Sequence, residues 1–303
     1  MAAEGHGVID AARRSGLLLP DRPVLVMLSG GADSTCLLDV AVRISGTSAV
    51  RALHVDHGLR PGATDADVCA ATCHQLGVEL TVRSLDPESA MGNLQAWARE
   101  ERYALARELA AADQAAIAVG HTSSDNAETV LYRLAAAPGR RALLGMRPRV
   151  GEVIRPLLAV DRAATASYCE SRGLVTVDDP SNAGDRFARG RVRHGLLAAM
   201  REVHPAAEAN VVETAEILRL EAEVLDSLID GLIDGEPPRQ TIPLDRLRDQ
   251  PPALRRLVVQ RMADDSVGRL APGVARRTRR SASSTRAGPD EASSACSDQR
   301  WSS

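Results

Sequence analysis

The sequence predicts a parallel twisted α/β sheet with helices on both faces, followed by a smaller helical region. Three observations lead there. Short apolar runs alternate with helix-period segments through the first half of the 303 residues, the interval expected of strand–helix–strand units. Strand patterning stops after about Gly184. The first apolar run breaks at Ser29-Gly30-Gly31, directly before an apolar helix.

Each element has its own signal. "VLVML" (24–28) is a short, fully apolar run and reads as a buried central strand. "ALHVD" (52–56), "VELTV" (78–82) and "AIAVG" (116–120) are the next strands. Between and after them, 34–45, 64–76, 91–112 and 125–136 repeat apolar residues at helical spacing. In such a sheet a ligand sits beyond the carboxyl ends of the strands, where the loops after 28, 56 and 120 converge. Beyond it, 189–203 and 206–234 read as helices, and Pro237-Pro238 and Pro251-Pro252 punctuate a weaker helical tract ending near Met262. The expected organisation is a first domain of 1–184, a helical region of 185–264 and an Arg/Ser-rich tail of 265–303. The tail has too little apolar content to offset its ordering entropy.

Composition excludes several classes. No run approaches about 18 apolar residues, so no membrane span is expected. The N-terminus lacks a basic start followed by an apolar stretch, which argues against secretion. The five cysteines are scattered and odd in number, as in a cytoplasmic protein with reduced thiols. All 37 basic residues are arginine. That excludes a Walker A loop, which needs lysine on the phosphates, and any Schiff-base lysine. A net charge of −3 leaves nucleic-acid binding to local arginine clusters.

The turn Ser29-Gly30-Gly31-Ala32-Asp33-Ser34 has the makings of an anion cradle. Glycines let backbone N–H groups approach a pyrophosphate, the serine hydroxyls add donors, and the helix N-terminus adds partial positive charge. Asp33 is out of place in a bare anion site, since carboxylate and phosphate repel. A Mg²⁺ ion at Asp33 reconciles them, because hard cations join both kinds of oxygen. Strand alternation puts His54 and Asp56 on one face, and no Cys or His spacing completes a zinc set with His57; a nucleoside-contacting strand edge suits the segment better. Arg99 and Arg102 lie three apart on one helix face. His121 ends a strand, and Asp125 sits near a helix start with Glu128 one turn on.

Taken together these stretches resemble a known family. S-G-G-x-D-S at 29–34 is the signature of the PP-loop ATP pyrophosphatases. "HVDHGLR" (54–60), Asn93-Leu94-Gln95 through Arg99-Glu100-Glu101-Arg102-Tyr103, "GHTSSDNAETVL" (120–131) and "VDDPSN" (177–182) with Arg189, Arg191, Arg193 and His194 follow in order. These five matches over 24–197 resemble the tRNA(Ile)-lysidine synthetases. The chain departs from that pattern at Ser124, Asn126, Ala136, Ala137 and Gly190.

The resemblance implies an ATP-dependent ligase that joins L-lysine to C2 of the wobble cytidine in the CAU anticodon of an isoleucine tRNA, through an adenylated cytidine. It implies ATP and Mg²⁺ as cofactors, a nucleotide site of Ser29, Gly30, Gly31, Ala32, Asp33, Ser34 and Asp56, and catalytic roles for Asp33, Asp125, Arg102 and His121. It also implies that arginines 186–193 meet the tRNA backbone, and it admits a homodimer. Three alternatives remain: a tRNA-thiolating PP-loop enzyme, which wants paired cysteines near the site; an amidotransferase-type PP-loop synthetase, which needs an ammonia-generating partner or domain; and an inactive RNA- or nucleotide-binding relative.

Overall fold

The computed structural model describes residues 2–56, 65–86, 94–136, 139–177, 188–237 and 239–267. The expected strands appear as β1 (Val24–Met27), β2 (Val50–Asp56), β3 (Glu79–Ser84) and β4 (Ala116–Val119). Two short strands not expected from sequence, β5 (Arg149–Val150) and β6 (Val153–Ile154), complete a six-stranded sheet of order β3-β2-β1-β4-β6-β5. Every pairing is parallel except β5 with β6. Two-residue strands carry almost no periodicity, which is why the sequence does not announce them.

The helices are α1 (Ala2–Arg14), α2 (Ala32–Ser45), α3 (Asp65–Leu76), α4 (Leu94–Ala111), α5 (Ser123–Ala136), the short α6 (Arg140–Leu143) and α7 (Arg162–Ser171). Alternate residues of the central strands face opposite sides, and each side has its own core. Val24, Val26, Leu28, Ala52 and Ala118 pack against Cys36 and Leu37 of α2, Cys69 and Cys73 of α3, and Tyr168 of α7. Leu25, Met27, Leu53, Ile117 and Val119 pack against Tyr103, Ala106 and Ala110 of α4. Helices therefore cover both faces, as the continuous apolar strands require.

One buried ion network fixes α7 to α2. Asp39, almost fully buried, accepts from Tyr168 Oη at 2.5 Å, Arg43 Nε at 2.9 Å and Arg172 Nε at 3.1 Å. Burial alone would raise that carboxyl, but the bonds from Arg172, Tyr168 and Arg43 hold it below its usual value. Asp161 caps α7 by accepting from Ala164 N–H at 2.8 Å. The helix is thus held rigidly with its first turn over the first turn of α2.

The chain divides into two compact units, Met1–Arg219 and Leu220–Ser303. The first runs past the domain boundary expected at 184. Residues 188–203 form α8 (Ala188–Arg191), a π-helical stretch Val192–Leu196 and α9 (Leu197–Val203), and Val192 and Leu197 bury themselves against Leu131 of α5. Helix α10 (Ala207–Asp230) begins in this unit. In the second unit, Arg246 of α11 (Leu244–Arg248) grips Asp234 at 3.0 Å, and Arg261 of α12 (Pro252–Val267) pairs with Asp230 at 3.1 Å. α12 carries helix to Val267, slightly past the expected start of the tail; the rest of the tail lies outside the described residues. No described helix is long and apolar enough to cross a membrane.

Candidate functional site

The chain leaves β1, builds β2 and β3 on one side, then returns to place β4 on the other. The ends of β1 and β4 therefore border a topological switch point, where a crevice opens beyond the strands. The turn after β1 and the turn after β4 both face it.

The first turn is closed by its own side chains. Ser29 N–H donates to Ser34 Oγ at 3.1 Å, Ser34 Oγ donates to the Gly31 carbonyl at 3.0 Å, and the two serine hydroxyls lie 3.0 Å apart. Gly30 adopts a φ of +85°, which favours glycine, and its carbonyl accepts from Val177 N–H at 2.9 Å. Gly31 precedes α2 without a side-chain cap, so the first-turn N–H groups of the helix are left to an external acceptor. Gly120 is needed for a different reason. A Cβ there would lie 2.9 Å from the Asp33 carbonyl oxygen and 3.0 Å from Ser34 Cα. The end of β4 is pressed against the cradle.

Three carboxylates and two guanidiniums meet beside it. Asp33 accepts a short hydrogen bond from the Thr165 hydroxyl and has Arg162 Nε at 3.5 Å. Asp125 accepts from Thr122 N–H and Oγ1, both at 2.9 Å, and from Arg162 Nη2 at 2.7 Å. Glu128, 1% exposed, takes Arg162 Nη1 at 3.2 Å and Arg193 Nε at 2.6 Å. Burial raises the Asp33 carboxyl above its usual value, with the Asp125 charge adding to it; Thr165 and Arg162 offset only part. The formal balance of this cluster is one negative charge.

His121 stands apart from the cluster. Its Nδ1 accepts from Arg155 Nε at 3.2 Å, which leaves Nε2 to carry the proton of a neutral ring. Burial pushes its pKa down to about 4; Arg155, Arg99 and Arg189 add repulsion, against the attraction of Asp125. Arg102 lies on α4 with its Cζ 5.9 Å from the Tyr103 ring centre. Its Nε is buried with no hydrogen-bond partner among the described residues.

The sequence-derived residues are thus partly brought together. Ser29 to Ser34, Asp33 and Asp125 share one crevice with His121 near Asp125, whereas Arg102 makes no contact with the carboxylates and Asp56 ends β2 on the far side of β1. His54 does not face a ligand: it is buried, with Nδ1 2.9 Å from the Leu28 carbonyl and 3.4 Å from Cys69 Sγ. His57 and residues 178–187, including Arg186, lie outside the described residues. Arg193 is committed to Glu128. Two departures from the family pattern have local work to do. Ser124 Oγ accepts from Arg162 N–H at 3.3 Å, and Asn126 Oδ1 accepts from Met146 N–H at 2.7 Å.

Arg162, Thr165 and Arg155 were not singled out from sequence. The start of α7 carried a readable capping aspartate, but nothing in "DRAAT" linked it to residues 130 positions earlier. The four described cysteines are buried, and burial pushes the Cys69 thiol up to about 12 and Cys73 up to about 11.

The chain is similar to known proteins. Residues 10–200 match the family described as the PP-loop domain. A tRNA(Ile)-lysidine synthase of Solibacter usitatus is 39% identical over 216 residues, covering 69% of this chain and 48% of that protein. One of Rhodococcus erythropolis is 37% identical over 246 residues, covering 78% of this chain and 72% of that protein. The chain thus spans about half the length of the first relative. Among solved structures, the U34-tRNA thiolase NcsA of Methanococcus maripaludis with its [4Fe-4S] cluster matches with a TM-score of 0.60 at 18% identity, over 72% of this chain and 80% of that one; at that identity the likeness is one of fold.

Proposed function

The chain belongs to the tRNA(Ile)-lysidine synthase family of PP-loop proteins, and from that premise we propose that it ligates L-lysine to C2 of the wobble cytidine in the CAU anticodon of an isoleucine tRNA. The observation that supports this most is the juxtaposition at one switch point of a pyrophosphate-sized cradle and a carboxylate cluster with one negative charge to spare.

In the first step the cytidine O2 attacks the α-phosphate of ATP, and pyrophosphate leaves. The N–H groups at the start of α2, with the Ser29 hydroxyl beside them, would meet that leaving charge. Asp33 fits Mg²⁺: it offers hard oxygens, its only guanidinium contact among the described residues is loose at 3.5 Å, and burial leaves its charge poorly solvated. Asp33 would hold the ion, which when bound would supply positive charge to offset that of the leaving group. In the second step the lysine ε-amine displaces AMP at C2. Asp125 suits an ammonium, and it receives the proton the amine must lose before attack. His121 Nε2–H is a neutral donor beside the same crevice.

The thiolase alternative fares less well, since its chemistry wants reactive paired cysteines and Cys69 and Cys73 are buried thiols with raised pKa values. We place the reaction in the cytoplasm, in keeping with free thiols at Cys36, Cys69, Cys73 and Cys169. The homodimer belongs to the same reading. Leu220, Val224 and Leu228 form an exposed apolar stripe along α10 that suits a second copy, and sedimentation velocity tests it. The decisive assay is incorporation of labelled lysine into CAU-anticodon isoleucine tRNA, dependent on ATP; a folded protein that releases no pyrophosphate and incorporates no lysine overturns the proposal.

A further inference from the structure

Positive charge gathers around His121, just past the C-terminal end of β4 and beside the carboxylate cluster. Arg99 and Arg102 reach it from α4, both over the Tyr103 ring, with Cζ at 5.1 Å and 5.9 Å from its centre. Arg133 comes from α5 and Arg155 from just after β6. A single turn holds both: Arg133 Nη1 donates to the Gly145 carbonyl at 2.8 Å, and Arg155 Nη1 to the Arg147 carbonyl at 2.8 Å. Arg189 of α8 is near enough to repel both Arg133 and His121.

These side chains lack the carboxylate partner that several other arginines have. Arg51 meets Asp113 at 2.8 Å, Arg107 meets Glu152 at 2.9 Å, and Arg162 and Arg193 meet the cluster carboxylates. Among the described residues, no carboxylate pairs with Arg99, Arg102, Arg133, Arg155 or Arg189. The buried Arg102 Nε has no acceptor there at all. Like charges held together and partly out of water are costly unless an anion completes them. Burial first, and repulsion from neighbouring arginines second, hold Arg102, Arg133 and Arg155 below the usual guanidinium range. His121 fits the same purpose, since accepting from Arg155 at Nδ1 leaves its Nε2–H as a further donor.

We propose that Arg99, Arg102, Arg133, Arg155 and Arg189, with His121, form a phosphate-binding basin separate from the 29–34 cradle, and that it takes the RNA phosphodiester next to the base entering the crevice. The cradle at the end of β1 already serves the phosphates of ATP. A base delivered to the switch point brings its own backbone phosphates, and the basin lies one strand away, at the end of β4. Naming RNA as the source rests on the lysidine reading above. The phosphate chemistry does not.

The test uses the full chain and a 17-nucleotide anticodon stem–loop RNA containing CAU, with filter binding across 50–400 mM KCl and ATP binding measured in parallel. Arg99→Gln with Arg189→Gln removes two exposed charges that hold no backbone group, so the fold is spared; Arg155→Gln is the second variant. Each neutralised phosphate steepens the salt dependence by about 0.7–0.9 log units per log unit of salt. The double variant is expected to flatten the RNA slope by about one to two units while ATP affinity changes less than about twofold. Unchanged RNA affinity and slope in both variants overturn the basin. Weakened ATP binding with intact RNA binding overturns the RNA assignment and makes the basin part of the ATP site. A flattened slope in a protein whose wild type makes no lysidine supports the basin and sinks the lysidine reading.

Discussion

Gly120→Ala is a test of how the cradle is positioned. The added Cβ would meet the Asp33 carbonyl oxygen at 2.9 Å, the Asp33 carbonyl carbon at 3.0 Å and Ser34 Cα at 3.0 Å. Carbon contacts settle at about 3.5–4.0 Å, so the end of β4 and the first turn of α2 must separate by about 0.5 Å or more. All three atoms are backbone, which leaves no flexible side chain to absorb the shift. Gly120 has no positive φ, so the effect is steric alone. Overpacking of this kind costs about 1–3 kcal/mol. Displacing a catalytic constellation by about 1 Å costs about a hundredfold in rate, so half that displacement is expected to cost about tenfold in ATP-dependent pyrophosphate release. Gly195→Ala is the matched control, because nothing lies within 4 Å of its Cβ position and its φ is ordinary. Urea unfolding measures the first quantity and a coupled pyrophosphate assay the second. If Gly120→Ala matches Gly195→Ala in both, the close approach of β4 to the cradle does not set its geometry.

Asp33→Asn is expected to abolish pyrophosphate release while the protein still unfolds cooperatively; wild-type turnover would remove Asp33 from the metal role. Arg193→Ala leaves the 1% exposed Glu128 with Arg162 as its only described guanidinium partner, and a loss of about 3 kcal/mol is expected, at the low end for breaking a buried pair; a change under about 1 kcal/mol in urea unfolding would show the pair is not held tightly. His121 carries a pH signature. With its pKa lowered to about 4, the folded protein refuses a proton that the unfolded chain accepts below about 6.5. Stability is therefore unaffected by this group above that pH, falls as pH drops from about 6.5 to 4 by at most about 3 kcal/mol, and levels off below. An NMR titration assigned with His121→Asn checks it, and a His121 midpoint near 6.5 would refute it.

The first half of the fold was legible because its signals are local. Each central strand is a continuous apolar run, each long helix repeats its apolar residues, and Ser29-Gly30-Gly31 announces a turn only glycine can make. Those features decided the parallel sheet, the cradle and the end of the sheet where a ligand belongs. The family motifs added Asp125 and His121. Tertiary structure alone decided which side chains complete the site. Arg162 and Thr165 reach Asp33 across 129 and 132 positions of chain, carried there by α7, whose docking depends on the buried Asp39–Tyr168–Arg172 network. Burial and counter-charge are likewise properties of the folded state: Arg193 reads as a tRNA contact in sequence and is a partner of Glu128 in three dimensions. His54 reads as a ligand-facing histidine and is sealed under the turn after β1. Spacing along the chain records what a helix or strand does with its own residues. Which charge neutralises which is set by packing between elements, and that has no period to read.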